Sequence, residues 1–136
     1  MPLVLDSFAI IVLYLAQPGW EKVRKYLIDA VQDGYSHKMS ATDYGEIYYT
    51  ILRRGGEKAL AEVLSMMEEM QIEVIVPEFQ DFIDAARFKG LYGASYPDCF
   101  AAVLARKLNI PVLTCDPDFR RLEPLGVKVE WLPPNR

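Results

Sequence analysis

Short apolar runs alternate with longer amphipathic segments along this chain, and that alternation limits the fold more than any other feature of the sequence. Short runs rich in Val, Ile and Leu are typical of buried strands, whereas apolar residues spaced three or four apart indicate helices. Strands that alternate with helices or helix pairs predict an α/β fold, in which helices cover both faces of a parallel sheet. The predicted strands span residues 3–5, 37–40, 72–76, 111–114 and 127–131, and predicted helices span residues 7–16, 20–31, 57–70, 78–89 and 95–108. One more helix, with Ser40 or Thr42 as its N-cap, is predicted to end at Arg54 before Gly55-Gly56.

The length of the chain fits one domain, which we predict to span residues 1–136. Of the 136 residues, 51% are apolar and 25% are charged, so the chain can bury a core without disulfides or zinc. The net charge is −4, and the sequence has no basic tail and no acidic block. A protein that binds nucleic acid or a membrane through charge alone is therefore disfavoured.

The sequence carries no signal for a membrane span or for export. The longest apolar run, Phe8 to Ala16, is about half of the ~20 residues that a bilayer-crossing helix needs. No basic segment precedes this run, so a signal peptide is not expected. Cys99 and Cys115 fit no zinc or redox spacing, and Pro133-Pro134 indicates a terminal tail. We therefore expect a cytoplasmic protein.

Acidic residues follow the predicted strands. Asp6 ends the first strand, and Asp116 and Asp118 follow the fourth. Glu46 lies one turn into the helix after the second strand, and Asp98 lies in the first turn of its own helix. Because the carboxyl ends of parallel strands share one edge of a sheet, we expect these acids to gather there. Like charges repel, so the cluster indicates a hard divalent cation, Mg²⁺ or Mn²⁺, which prefers oxygen ligands.

Several of these acids also have a purely structural interpretation. Ser40 with Asp43, and Ser95 with Asp98, have the spacing of helix capping boxes. Asp6 is harder to explain in this way, because a carboxylate between two apolar runs has to be buried or to line a cleft.

The chain contains four short motifs, each built around one of these acidic residues. They are Val4-Leu5-Asp6-Ser7-Phe8-Ala9, Ser40-x₅-Glu46-Ile47-Tyr48-Tyr49, Ser95-Tyr96-Pro97-Asp98-Cys99-Phe100-Ala101-Ala102 and Val112-Leu113-Thr114-Cys115-Asp116-Pro117-Asp118-Phe119. In order and spacing they resemble the PIN domain family and, within it, the VapC-type toxins of prokaryotic toxin–antitoxin systems. The resemblance covers Leu3 to Trp131. It implies a PIN-like α/β/α sandwich, a central parallel sheet of about five strands flanked by helices.

The same resemblance implies a metal-dependent endoribonuclease that hydrolyses RNA phosphodiester bonds, with Mg²⁺ or Mn²⁺ as cofactor. The implied catalytic and metal-binding acids are Asp6, Glu46, Asp98 and Asp116. Supporting roles are implied for Ser7, Thr114 and Asp118. The chain departs from the family at Asp43, where related sequences often have Asn. Because Asp43 lies one helical turn from Glu46, we expect it to enlarge the negative site.

Basic residues near the acidic motifs are candidates for binding the RNA backbone. They are Arg53, Arg54, Arg120 and Arg121. An equally good interpretation is that they complement helix dipoles at the ends of their helices.

The resemblance also implies protein partners. A cognate VapB-like antitoxin would inhibit the enzyme by placing a basic side chain among the carboxylates, and a homodimer would form. The apolar helix face of Ile47, Tyr48 and Ile51 is a candidate dimer surface. The alternative is a catalytically inactive PIN-like module that binds RNA or a protein. Such modules tend to lose one or more of the acids, and the presence of all four here favours the enzyme.

Overall fold

Five parallel strands form a single sheet in the computed structural model, which describes residues 1–133. The strands are β1 (Val4–Leu5), β2 (Lys38–Ser40), β3 (Glu73–Ile75), β4 (Val112–Thr114) and β5 (Val129–Trp131). Their order across the sheet is β3-β2-β1-β4-β5, and every neighbouring pair is parallel. The predicted α/β fold with a five-stranded parallel sheet is thereby confirmed. The part of the predicted tail that begins at Pro134 lies outside the described residues.

Helices cover both faces of this sheet. They are α1 (Ser7–Tyr14), α2 (Trp20–Asp33), α3 (Ala41–Glu69), α4 (Phe79–Tyr92) and α5 (Tyr96–Leu108). Successive strand residues point to opposite faces. Leu5 and Leu113 therefore pack into a core formed with α1, α2 and α3, whereas Val4 and Val112 pack into a second core formed with α4 and α5. Two cores on opposite faces make the α/β/α sandwich.

The edge of the sheet where the strands end carries a topological switch point. The chain builds the sheet outward from β1, to β2 and β3 on one side and to β4 and β5 on the other. Ligands in parallel α/β sheets bind in the crevice beyond such a point. Asp6 directly follows β1, and Cys115-Asp116 directly follow β4, so the sheet places an acidic residue on each side of this crevice.

Some element boundaries differ from the sequence-based prediction. Helix α4 continues through Gly90 and ends at Tyr92, and its C-cap Gly93 adopts a left-handed conformation (φ 76°) suited to glycine. Two short 3₁₀ helices, Pro117–Arg121 and Glu123–Leu125, follow β4 in a segment for which no element was predicted. Among residues 1–133, no helix is both long and apolar enough to cross a membrane.

The proposed dimer surface on α3 is wrong. Ile47 and Ile51 are completely buried in the core beneath α1 and α2, and only Tyr48 is exposed. The two isoleucines face inward because they continue the buried stripe of the helix, with a spacing of four residues.

Helix α3 bends at the predicted Gly55-Gly56 break. Gly56 has φ 81° and ψ −174°, a backbone conformation that is essentially restricted to glycine. Two helical segments therefore meet at this residue rather than forming one straight rod, as the sequence predicted.

Alanine substitutions at two glycines of α3 are expected to act in opposite directions. A Cβ at Gly56 would meet no atom within 4 Å, so Gly56→Ala tests backbone strain alone and should lower the free energy of unfolding by about 1–3 kcal/mol. Gly45 is helical and equally uncrowded, so Gly45→Ala should raise it by about 0.5–1 kcal/mol. Urea unfolding measures both, and equal effects of the same sign would contradict the strained kink.

Candidate active site

Asp6 is the centre of the carboxylate group at the switch point. It is the N-cap of α1, and its Oδ1 accepts a hydrogen bond from the Ala9 N–H at 3.0 Å. Its Oδ2 accepts a hydrogen bond from the Thr114 hydroxyl at 2.5 Å. The carboxylate is completely buried, and burial raises its pKa from 3.8 to about 7, although both hydrogen bonds act to lower it.

Thr114 connects Asp6 to the acids that follow β4. Its Oγ1 donates to Asp6 and also accepts from the Asp116 N–H at 2.9 Å. The Asp116 carboxylate in turn caps the 3₁₀ helix by accepting from the Asp118 N–H at 2.9 Å. A buried hydroxyl thus holds β1 and β4 in a fixed relation at the point where their acids meet.

Three carboxylates come closest together at this edge. Oxygens of Asp98, Asp116 and Asp118 all lie within 4.8 Å of one another. Asp98 is buried and the other two are partly exposed, so the group opens toward solvent on one side. Only a supporting role was predicted for Asp118, yet its carboxylate belongs to this group just as that of Asp116 does.

The capping-box interpretation of Ser95 and Asp98 is half correct. Ser95 is the N-cap of α5, and its Oγ accepts from the Asp98 N–H at 3.4 Å. The reciprocal bond, from the Ser95 N–H, goes to Oδ2 of Asp118 at 3.2 Å instead of to Asp98. The Asp98 carboxylate is therefore released from capping and points into the acid group.

One oxygen of Asp98, Oδ2, is buried and has no hydrogen-bond partner within residues 1–133. Burial holds the pKa of Asp98 well above its usual range, and the adjoining Asp116 carboxyl and the charge of Asp6 add to the effect. A buried carboxylate oxygen without a partner is costly, so Oδ2 needs either a proton or a cation.

Glu46 of α3 lies close enough to Asp6 for its charge to act on that carboxylate. Its Oε1 accepts a hydrogen bond from the Ser7 hydroxyl, and its Oε2 accepts a weaker one from the Tyr49 hydroxyl at 3.4 Å. Ser7, in the first turn of α1, therefore lies in position to orient Glu46.

Asp43 is a sixth carboxylate, which was linked to the site only through its spacing from Glu46 in the sequence. It does not complete a capping box with Ser40, because its Oδ1 accepts from the Ser7 N–H at 3.3 Å. The side chain is completely buried, and its Oδ2 has no partner among the described residues. Burial, followed by the charges of Asp6 and Glu46, raises its pKa well above the usual value.

A sequence signal for the burial of Asp43 did exist. Asp43, Ile47 and Ile51 are spaced four residues apart, and all three are buried. An acid on the apolar stripe of a helix must be paired, protonated or part of a site.

The four candidate arginines are placed differently from one another. Arg121 is held by Asp118, with Nη2 at 2.8 Å from Oδ1, and by the Tyr92 carbonyl, 3.0 Å from Nη1. The other three, Arg53, Arg54 and Arg120, are exposed, and the Cζ of Arg120 lies 4.6 Å from the centre of the Trp131 ring. The structure therefore engages Arg121 within the protein and leaves the other three accessible.

The donor set fits a hard divalent cation. All of the donors are carboxylate oxygens, and opposite ligands of Mg²⁺, at about 2.0–2.1 Å each, are roughly 4 Å apart. The 4.8 Å spread of the three-carboxylate group is close to that spacing. The unpartnered Oδ2 atoms of Asp43 and Asp98 are oxygens of the kind that such an ion or its water molecules would satisfy.

Comparison with known families agrees with this arrangement, because the family model of the PIN domain matches residues 3–124. The chain belongs to the PIN domain family. The family predicted from the four acidic motifs is therefore confirmed, and the match contains all four motifs of this PIN domain. No curated protein matches the chain in sequence.

Several solved structures share the fold of this PIN domain. VapBC2 from Rickettsia felis, bound to a DNA fragment of its promoter, is 13% identical with a TM-score of 0.77, and the match covers 98% of this chain and 100% of that chain. DNA-bound VapBC from Salmonella typhimurium is 18% identical with a TM-score of 0.72, covering 96% and 98%. Mycobacterium tuberculosis VapC20, a sarcin-ricin loop cleaving toxin, is 14% identical with a TM-score of 0.70, covering 88% and 94%. At these identities the likeness is one of fold.

Proposed function

We propose that this PIN domain is a metal-dependent endoribonuclease of the VapC type that acts in the cytoplasm. The observation that carries the proposal is the group of three carboxylates within 4.8 Å, joined through the Thr114 hydroxyl to buried Asp6. The fold shared with VapC20, a toxin that cleaves an RNA loop, supports the same function.

The proposed metal site has Asp6, Glu46, Asp98 and Asp116 as ligands, directly or through water, with Asp118 beside them. A bound Mg²⁺ or Mn²⁺ supplies charge neutralisation at the phosphate and an activated water for in-line attack. The remaining work falls to the chain. Thr114 fixes the orientation of Asp6, and Ser7 fixes that of Glu46, so that Glu46 can accept a hydrogen bond from a water molecule.

Cleavage of RNA by the purified protein tests this function. Wild type should cut RNA in Mg²⁺ or Mn²⁺, EDTA should stop the reaction, and Asp6→Asn should remove it. Asp29→Asn is the matched control, because Asp29 is paired with Lys25 on α2, outside the carboxylate group, and should leave cleavage unchanged. Undiminished cleavage by Asp6→Asn would reject the assigned site, and absence of cleavage by wild type would favour the inactive binding module.

An antitoxin of the VapB type is the proposed partner. Its basic side chain would enter the carboxylate group, where opposite charges accelerate association and secure specificity. The known structures with this fold include VapBC complexes, which supports the pairing. Asp116→Asn should weaken the complex most at low salt, and an affinity that is insensitive to both salt and this substitution would contradict the model of inhibition.

A homodimer is also proposed, but its contact surface must differ from the buried face of α3. Exposed apolar side chains on and before α4, Val76, Phe79 and Ile83, offer a contact for a second copy. Sedimentation should show dimers for wild type and a shift toward monomers for Phe79→Ser. Monomers of wild type at tens of micromolar would remove the dimer from the proposal.

A further inference from the structure

A cleft of about 480 Å³ lies beside the carboxylate group, on the side of β5. Asp116 and Pro117 form the wall nearest the acids, and Phe8, Arg120 and Trp131 form the rest of the lining together with their neighbours. Because Asp116 belongs to both the cleft and the carboxylate group, a molecule in the cleft lies next to the proposed site of cleavage.

The position of Trp131 in this cleft is set by the sheet. Trp131 ends β5 and pairs in register with Thr114 of β4, so its side chain stands at the same edge as the acids. Its backbone carbonyl accepts from the Lys22 Nζ at 3.1 Å, which ties the end of β5 to α2. The ring is only half-buried, so packing leaves part of its surface on the cleft.

Arg120 reaches the same cleft from the 3₁₀ helix that Asp116 caps. Its guanidinium carbon is 4.6 Å from the Trp131 ring centre, a cation–π contact. Arg121 is occupied by Asp118, whereas Arg120 forms no ion pair with any residue from 1 to 133. The Arg120 guanidinium is therefore available to bind a ligand, and its contact with the Trp131 ring restricts its position.

We propose that Trp131 and Arg120 form a subsite for one unpaired nucleotide of the RNA, next to the phosphate that is cleaved. This inference rests on the proposed ribonuclease function and deepens it by naming residues that hold the substrate. Bases stack on aromatic rings and on guanidinium planes, and arginine also binds phosphate. One pair of side chains thus recognises both parts of a nucleotide.

Size and chemistry favour a nucleotide in an unpaired segment. A volume of about 480 Å³ lies within the range of sites for small ligands, and a double helix is too wide for it. Bases within a duplex already stack on their neighbours, so only an unpaired base can present its face to the platform. The subsite would therefore bind RNA at a loop or a single-stranded stretch.

The sharpest test is a double-mutant cycle in which the Trp131 ring and one base of the RNA are removed separately and together. In an Asp98→Asn background that leaves the RNA intact, binding of a short unstructured RNA oligonucleotide is measured with Mg²⁺ by fluorescence anisotropy. An abasic position is moved along the oligonucleotide, and each version is titrated with and without Trp131→Ala. Trp131→Ala should lower affinity between about 5-fold and 150-fold, and the abasic position that occupies the cleft should cause a similar loss. Trp131→Ala combined with the abasic position should lower the affinity for RNA little more than either change alone.

The chain offers a matched control for Arg120. Arg106 makes the same type of contact with Phe88, 4.8 Å from the ring centre, but it lies on α5 outside the cleft. Arg120→Ala should weaken binding, whereas Arg106→Ala should have little effect although it removes the same charge. Trp131→Phe, which keeps a ring, should retain most of the affinity. Since Arg120 is exposed, its substitution tests the subsite even where Trp131→Ala fails to fold.

These experiments can distinguish failure of the proposed subsite from failure of the proposed ribonuclease function. Cleavage by wild type together with RNA affinity that ignores Trp131 and Arg120 would overturn the subsite and leave the ribonuclease intact. Binding that depends on both residues without any cleavage would support the subsite and reject the enzyme. No binding of RNA would overturn the subsite, and so would substitutions that weaken only the complex with the antitoxin, because the cleft would then belong to a protein partner.

Discussion

Changing Asp98 to asparagine is expected to lower RNA cleavage by at least about 100-fold and, at the same time, to stabilise the metal-free protein. Cleavage should fall because the substitution removes one of the buried oxygens proposed to bind the cation. Stability should rise because the amide, unlike the carboxylate, needs neither a proton nor a cation at this site, where burial, the adjoining Asp116 carboxyl and the charge of Asp6 disfavour the charged form. Asp98 does not cap α5 with its side chain, since Ser95 and Asp118 supply those bonds, so no cap is lost. The loss of a charge near the start of α5 costs only about 0.3–1 kcal/mol.

Adding Mn²⁺ should reverse the order of stability. At about 100 times its dissociation constant a ligand adds roughly 2.7 kcal/mol, which corresponds to about 8 °C in Tm for a domain of this size. Wild type should gain that amount, and Asp98→Asn should gain much less. Thermal melting of both proteins in EDTA and in Mn²⁺ measures the four values, with Asp29→Asn expected to follow wild type. Equal gains for wild type and Asp98→Asn would show that Asp98 does not bind the ion.

Without metal, the protein should lose stability as the pH rises from about 4 to about 7. The pKa of Asp6 is 3.8 ordinarily and about 7 in the fold, so between these values the folded state holds a proton that the unfolded state has released. The stabilising contribution is therefore complete below pH 4 and is lost through the window. For Asp6 the change amounts to roughly 4 kcal/mol, and the raised pKa values of Asp43 and Asp98 act in the same direction.

Asp43→Asn isolates one part of that pH dependence. The amide oxygen can still accept from the Ser7 N–H, while the buried charge is gone. The free energy of unfolding of the variant should exceed that of wild type at pH 8 and be close to it at pH 4, and it should vary less with pH. Urea unfolding in EDTA across this range provides the measurement. A variant that is destabilised equally at both pH values would mean that Asp43 acts only as a hydrogen-bond acceptor.

Much of this architecture could be predicted from the sequence because its signals are local. Asp6 follows the first apolar run, and Asp116 follows the run that ends at Thr114. Because parallel strands bring their carboxyl ends to one edge of the sheet, the pattern predicts that these two acids lie close together. The break at Gly55-Gly56 was likewise visible, because glycine is the residue that tolerates the conformation found at Gly56.

The features that were missed depend on contacts between distant segments. Spacing suggested that Asp98 completes a capping box, but Asp118, 23 residues from Ser95, takes that bond. The prediction that Ile47 and Ile51 are exposed failed because both lie on the buried stripe of α3, which packs into the core formed with α1 and α2. Trp131 was not recognised as a site residue, since only its register with Thr114 places it at the acidic edge.

The bond between Thr114 and Asp6 joins residues separated by 108 positions, almost the full length of the chain. Strand β4 must pair with β1 before that bond can form, and β4 is translated only after the first three strands and all five helices. A nascent chain that has not yet exposed Asp116 therefore lacks the hydroxyl bridge and two acids of its three-carboxylate group. Contacts over such separations also form slowly during folding. The protein is thus assembled in an order that keeps its carboxylate centre incomplete until β4 and the segment after it have been translated.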